Sequence, residues 1–488
     1  MGVGTRGEQF PGGPTWRGGP LNASTLLPPV QQVPCHGPGA GRAVWRTAMR
    51  HPMRHGGTLT ANWCPGWANI GAMACRRRPI RLPFRPMTKT TDRTPRVAVV
   101  GAGIVGCCIA LALRKRGADV MLIDRDGPAQ GCSYGNSGAI SVSSVAPLAM
   151  PGVLASLPKM LFDPESPLHL RLGYLPTAAA WLTRFVLSAA PGRVAQSAAA
   201  LAALHANAGD RHEALAREVG VPELFMRRGH LHLYPDAAAL EADAAAWQLR
   251  ERFGFRFERL DRAGIEALEP GVAPRYQAGV YLADHATIRN PARYTEAIAA
   301  AFAAGGGRIV RDDIRGLRRQ GGEWLLSGAE GRHTADHVVV AAGAWSRRLL
   351  DPLGVRLLLE SQRGYHVQFT NRHDAVSRTV VLTDRKIFVT PMEGGLRVGG
   401  TVEIAGLAAP PDPKRAAILE RIARETFKGL EGAHVTTWMG HRPCMPDSVP
   451  VVGPADGQPG LWLAVGHGHL GLTDSVNTAD RIADALMH

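Results

Sequence analysis

The stretch that most constrains the fold is residues 96–124, RVAVVGAGIVGCCIALALRKRGADVMLID. Its apolar run at 97–100 reads as a buried parallel strand, and Gly101, Gly103 and Gly106 follow in GxGxxG spacing at a strand-to-helix junction. The spacing predicts a helix over 104–116, with Arg114, Lys115 and Arg116 in its last turn and Gly117 as its C-terminal cap. A second strand, 120–123, ends on Asp124, 18 residues after Gly106. Each residue type has a task in binding a dinucleotide. Gly101 permits a tight turn, Gly103 lets a pyrophosphate approach the backbone, and Gly106 allows close helix–strand packing. Val100, Ala102, Ile104 and Val105 complete the turn, whose helix end offers free N–H groups and partial positive charge to phosphates. Asp124, followed by Arg125, is placed to accept hydrogen bonds from a ribose.

At 488 residues the chain can hold two or three domains. Its net charge of +15 is unevenly spread: residues 1–95 carry +11, leaving +4 for the rest. The body is therefore only mildly basic and gives no case for a nucleic-acid partner. Residues 1–93 are rich in Gly, Pro and Arg without sustained periodicity, and read as a disordered basic arm. Three readings of that arm stay open: a dispensable or upstream-translated segment ahead of Met87, a targeting segment, or a contact for an acidic partner or nucleic acid. The seven cysteines form no CxxC pair and suit free thiols in a reducing compartment. No run of 18 uninterrupted apolar residues is present.

After Asp124 comes a loop of small and hydroxyl-bearing residues, 127–144. Gly131, Gly135 and Gly138 would let backbone lie against a flat ligand, and Ser133, Asn136 and Ser137 would hydrogen-bond its edge. Residues 146–225 are Pro-broken, then Ala-rich with helical spacing, so core-facing helices are expected. His230 and His232 lie on one face of a strand at 229–234 without a nearby carboxylate, so no metal site is expected. A helix over 291–304 leads to strands near 308–310 and 324–327. A buried strand within 335–346 ends at Ala341, Ala342 and Gly343, and small residues at such a strand end mark a second ligand contact. Residues 361–437 are strand-rich and read as an antiparallel sheet under a substrate site, interrupted by a helix at 413–427. A strand at 461–465 precedes the loop GHGHLGLT, with Gly466, His467, Gly468, Leu470, Gly471 and Thr473 as cofactor candidates. A final helix, 474–487, can turn its N-terminus to the same ligand.

Together GAGIVG, SYGNSGAIS, VVVAAGAWS, RGYHVQF, PMEGGLRVGGTVE, GHRPCMPDSVPVVG and GHGHLGLT resemble, in order, the FAD-dependent D-amino acid oxidase superfamily, most closely its bacterial D-amino acid dehydrogenase branch. The resemblance covers about residues 95–488. It implies an α/β fold with a Rossmann-like FAD domain built from 94–145, 285–350 and 438–488, and a mixed or antiparallel substrate domain from 146–284 and 351–437. It implies non-covalent FAD, its ring between the loops 134–139 and 466–473. Arg442 matches the position that holds a substrate carboxylate, for which an Arg fork is suited. Tyr365 is a candidate for the substrate wall. His467 and His469 are left without a role, and no general base is assigned.

The expected reaction is oxidation of the CH–NH bond of a D-amino acid to an imino acid, which water converts to a 2-oxo acid and ammonia. Glycine, sarcosine or a cyclic imino acid stands as the alternative substrate. More distant alternatives are an FAD-dependent enzyme modifying RNA and a flavin binder without turnover. The electron acceptor is left open between a quinone and dioxygen. The expected location is the cytoplasm, with peripheral contact at the inner membrane left open.

Overall fold

The computed structural model describes residues 94–151 and 168–488, so the expected disordered arm, 1–93, lies outside the described residues. Strand β1 (Arg96–Val100) is buried along nearly its whole length and pairs in parallel with β2 (Asp119–Asp124). Between them helix α1 (Ile104–Lys115) buries nine of its twelve residues, Cys107 and Cys108 among them. Small and apolar residues on all sides make this a core helix and not a surface one. Strands β3 (Arg308–Arg311), β4 (His337–Val340) and β9 (Leu461–Val465) extend the parallel sheet, and β8 (Val451–Pro454) closes it as an antiparallel edge. The order is β3-β2-β1-β4-β9-β8. Chain direction across the sheet reverses between β1 and β4, the crevice at which open α/β sheets bind ligands.

Among the described residues the second large sheet has nine strands. Its working part is β5 (Glu360–Thr370) between β6 (Gly395–Ile404) and β7 (Val435–Cys444), all antiparallel. It is mixed: Thr379–Leu382 runs parallel to His230–Tyr234, and Leu168–Leu170 parallel to β6. Helix α4 (Pro413–Thr426) covers one face, packing Leu419, Ile422 and Ala423 against Tyr365, Val367 and Phe369.

The Ala-rich region forms three helices, Leu175–Ser188, α2 (Pro191–His205) and Ala208–Glu218. The last two are separated by Asn207, whose left-handed φ of 54° ends a helix that composition alone would have continued. Helix α3 (Pro291–Ala304) starts on an Asn290 cap. The terminal helix α5 (Gly471–Met487) begins three residues before the expected 474, at a Leu470 cap whose side chain makes no capping hydrogen bond. No residue type there announces a start. We propose domain boundaries that follow the pairing: residues 435–444 go with the second sheet, and the helices of 191–218, which pack on α5, go with the first.

Candidate active site

The reversal between β1 and β4 opens a cleft of about 1400 Å³, counting its mouth. Gly101 forms its floor with φ +110°, its N–H donating to Ile123 O at 2.8 Å, and a Cβ there would lie 2.4 Å from Ala341 O. Only glycine meets both demands. The first N–H groups of α1 open into this cleft, and Ser133 Oγ already accepts that of Ile104 at 2.8 Å. The Asp124 carboxylate accepts from Ala102 N at 2.8 Å, Asp126 N at 2.9 Å and Gly127 N at 3.1 Å. It therefore fixes the glycine turn to the end of β2, and a sugar hydroxyl would use its remaining lone pairs. Arg125 lies 4.7 Å above the Trp345 ring beside it.

At the other end, the loop 131–138 lies on the second sheet. Arg397 Nη1 donates to Asn136 O at 2.6 Å and Tyr134 O at 3.2 Å, and His366 Nδ1 meets Gly135 O at 3.1 Å. Gly135 faces a protein ring and not a ligand: a Cβ there would sit 2.1 Å from Trp438. His366 stacks on that same Trp438 ring, 5.1 Å between centroids. Burial, then Arg397, push the His366 imidazole down to about 3, so it is neutral.

Arg442 lies across β5 at Gly364, where a Cβ would come within 2.2 Å of its guanidinium carbon. It reaches β6, donating to Thr401 O at 2.9 Å and Gly400 O at 3.4 Å, beside a bulge between Arg363 and Tyr365. Among the described residues no carboxylate lies within ion-pair distance of it, and burial lowers its pKa. Two carbonyl bonds leave three of the five N–H donors of a guanidinium unspent. His469 is accessible yet ringed by protein; burial, then Arg442, push it down to about 4. Cys132 and Cys444 flank Arg442, and burial raises their thiols to about 11 and about 12.

The cleft is lined by Val100, Gly101, Gly103, Ile104, Val105, Asp124 and Arg125, by Ser133, Asn136, Ala342 and Gly343, and by Gly466, His467, Gly468 and Gly471. The other cofactor candidates lie behind it. Ala102 and Gly106 shape the turn, Ser137 Oγ packs near Gly399, Gly138 O accepts from Ile288 N, Leu470 caps α5, and Thr473 Oγ1 accepts from Ser141 N. His467 Nε2 is 3.0 Å from Thr478 Oγ1, so its ring is tied into α5. Tyr365 is not a wall of this cleft. Its hydroxyl donates to Glu403 at 2.6 Å and accepts from Asp412 N at 2.9 Å within the core under α4, because β-strand alternation puts it opposite Gly364. Cys132, Asp312, Trp345, Arg348, His441 and Pro443 also line the cleft and were not among the expected site residues. Cys132 sits inside the expected loop, and Trp345, His441 and Pro443 lie within two residues of expected positions; only long-range folding brings Asp312 and Arg348 there.

Residues 96–485 match the family described as DAO, FAD dependent oxidoreductase, and the chain belongs to it. A D-amino-acid oxidase of Bradyrhizobium diazoefficiens is 38% identical over 398 residues, covering 80% of this chain and 94% of that protein. D-amino acid dehydrogenase 2 of Ralstonia nicotianae is 34% identical over 419 residues, covering 80% and 96%. Among solved structures, glycine oxidase from Geobacillus kaustophilus aligns with a TM-score of 0.63 at 20% identity, over 80% of this chain and 95% of that one. L-proline dehydrogenase from P. horikoshii aligns with a TM-score of 0.63 at 16% identity, over 81% and 93%. These two share the fold. The protein is thus an FAD-dependent oxidoreductase, and its long cleft, helix N-terminus and acidic strand end fit that dinucleotide.

Proposed function

We propose that this enzyme oxidises the CH–NH bond of a D-amino acid, giving an imino acid that water hydrolyses to a 2-oxo acid and ammonia. Arg442 carries the reading: it is a half-buried cation with only carbonyl partners among the described residues, and its neighbours Cys132, His441 and Pro443 line the cleft. Its unspent donors suit the two oxygens of a substrate carboxylate, and a low-dielectric setting strengthens that pair. Bound FAD supplies the hydride acceptor. The protein's own part is positioning and exclusion of water. FAD is held without a covalent bond; the nearest thiol, Cys132, is largely un-ionised and donates to His441 O at 2.9 Å.

The names of the 38% and 34% identical relatives support a D-amino acid over other amines. The acceptor is a quinone or dioxygen, and the location is the cytoplasm, with peripheral contact at the inner membrane if a quinone serves. Among the described residues no helix is long and apolar enough to cross a membrane. The deciding experiment is an anaerobic titration of the holoenzyme with D- and L-amino acids, glycine, sarcosine and proline. Flavin bleaching by D-amino acids alone is expected. Bleaching chiefly by glycine, sarcosine or proline overturns the substrate assignment, and admission of air separates dioxygen from quinone.

A further inference from the structure

We propose that the buried pair His205–Asp474 sets the charge at the cleft-facing end of α5 and so tunes the midpoint potential of the bound flavin. Asp474 lies in the first turn of α5, and Gly471 and Leu472 of that turn line the cleft. First-turn N–H groups have no intrahelical acceptor, and that helix end carries partial positive charge, which favours a ring gaining electrons. A carboxylate in the same turn opposes it.

The Asp474 side chain is fully buried, and neither oxygen makes a hydrogen bond among the described residues. Its ion-pair contact is His205 Nε2, equally buried, at 3.0 Å from the last residue of α2. Asn477, one turn on, donates to Leu204 O at 2.6 Å and Ala206 O at 2.9 Å and pins the two helix ends together. His212, His467 and His469 also feel Asp474, and burial lowers all three. His212 is held by Tyr294 Oη at 3.0 Å and His467 by Thr478 Oγ1 at 3.0 Å. His205 is thus the group in contact with the carboxylate. His469 feels the charges of both Asp474 and Arg442. The inference rests on the proposed function, with the flavin ring at the α5 end of the cleft as the family resemblance implies.

The test is the two-electron midpoint potential, with sulfite affinity, of four holoenzymes: wild type, D474N, H205Q and the double variant. Removing the carboxylate should favour the reduced flavin by about tenfold, ~30 mV for a two-electron couple. H205Q should shift it the opposite way, and the double variant should lie between them. Sulfite should bind D474N more tightly and H205Q more weakly. Equal potentials in all four proteins overturn the proposal. If one single variant fails to hold FAD, the other measured against the double variant decides the same question. A control separates the two readings: acetate should perturb the wild-type flavin spectrum and not that of R442A. No acetate response means that the ring lies elsewhere; a normal response with equal potentials refutes the tuning alone.

Discussion

Two arginines on neighbouring strands, one wholly buried and one half-buried, make the most instructive comparison in the molecule. Arg363, on β5, is wholly buried on the α4 side, with Glu403 at 3.4 Å and Pro410 O at 2.9 Å from its guanidinium. Arg442, on β7, pairs in register with Gln362 and lies on the opposite face, with backbone carbonyls and no carboxylate among the described residues. A buried cation supplied with an internal counter-ion holds the fold together. One left without a counter-ion costs stability and is ready for an anion from outside. The largest expected effect follows. Arg442→Met should lower kcat/KM by roughly 10²–10³-fold, consistent with the about 2–5 kcal/mol of truncating one partner of a buried charge pair. The same variant should unfold at the wild-type denaturant concentration or above it. A variant that loses stability and keeps activity would make Arg442 a second Arg363.

The converse substitution should reverse both readouts. Arg363→Met strands Glu403 as a buried unpaired charge and should cost about 3–5 kcal/mol in denaturant unfolding, with kcat/KM little altered in the folded fraction. The double variant R363M/E403L should recover much of that loss, which a double-mutant cycle measures. An additive result would mean that the two side chains do not act as a pair.

How much of this was legible beforehand differs between the two ends of the cleft. The cradle is local: the glycine spacing, apolar strands, helix and Asp124 lie within residues 96–124, so periodicity and turn chemistry announce them together. Even there Asp124 was read only as a sugar ligand, whereas its carboxylate first binds three backbone N–H groups. The Arg442 end is assembled from distant segments. What makes Arg442 special is the missing side chain of Gly364 and the carbonyls of Gly400 and Thr401, and no spacing rule joins positions so far apart. Resemblance marked the residue, but only the sheet register explains it. Tyr365 shows the cost of a one-residue step in a strand. It neighbours Gly364 in sequence, and the pleat sends it into the opposite layer.

That step is itself testable at a smaller scale. Tyr365→Phe leaves Glu403 and the Asp412 N–H each short of a partner and should cost about 1–3 kcal/mol of stability. Substrate turnover should stay within about twofold of wild type, because hydrogen bonds lost in a remote layer do not touch the reacting groups. A tenfold loss of kcat/KM at unchanged stability would return Tyr365 to the substrate wall and redraw the division between the two faces.

The smallest effect separates the two arginines from the buried imidazoles of the same molecule. Burial pushes His212 and His230 down to about 4 and His366 to about 3. The unfolded chain, whose histidines titrate near ~6.5, therefore binds protons before the folded one as pH falls. Stability is full above that value and declines from about pH 6.5 toward 4, by up to ~1.4 kcal/mol per pH unit for each histidine. Denaturant midpoints from pH 8 to 5 should be flat and then fall. His212→Gln should remove about one third of the slope contributed by these three groups, since the linkage is additive for independent sites. His366→Gln should flatten the slope equally but also loosen the loop 131–138, because its Nδ1 bond to Gly135 O would be altered. A slope unchanged in both variants would move the acid sensitivity from these imidazoles to other groups.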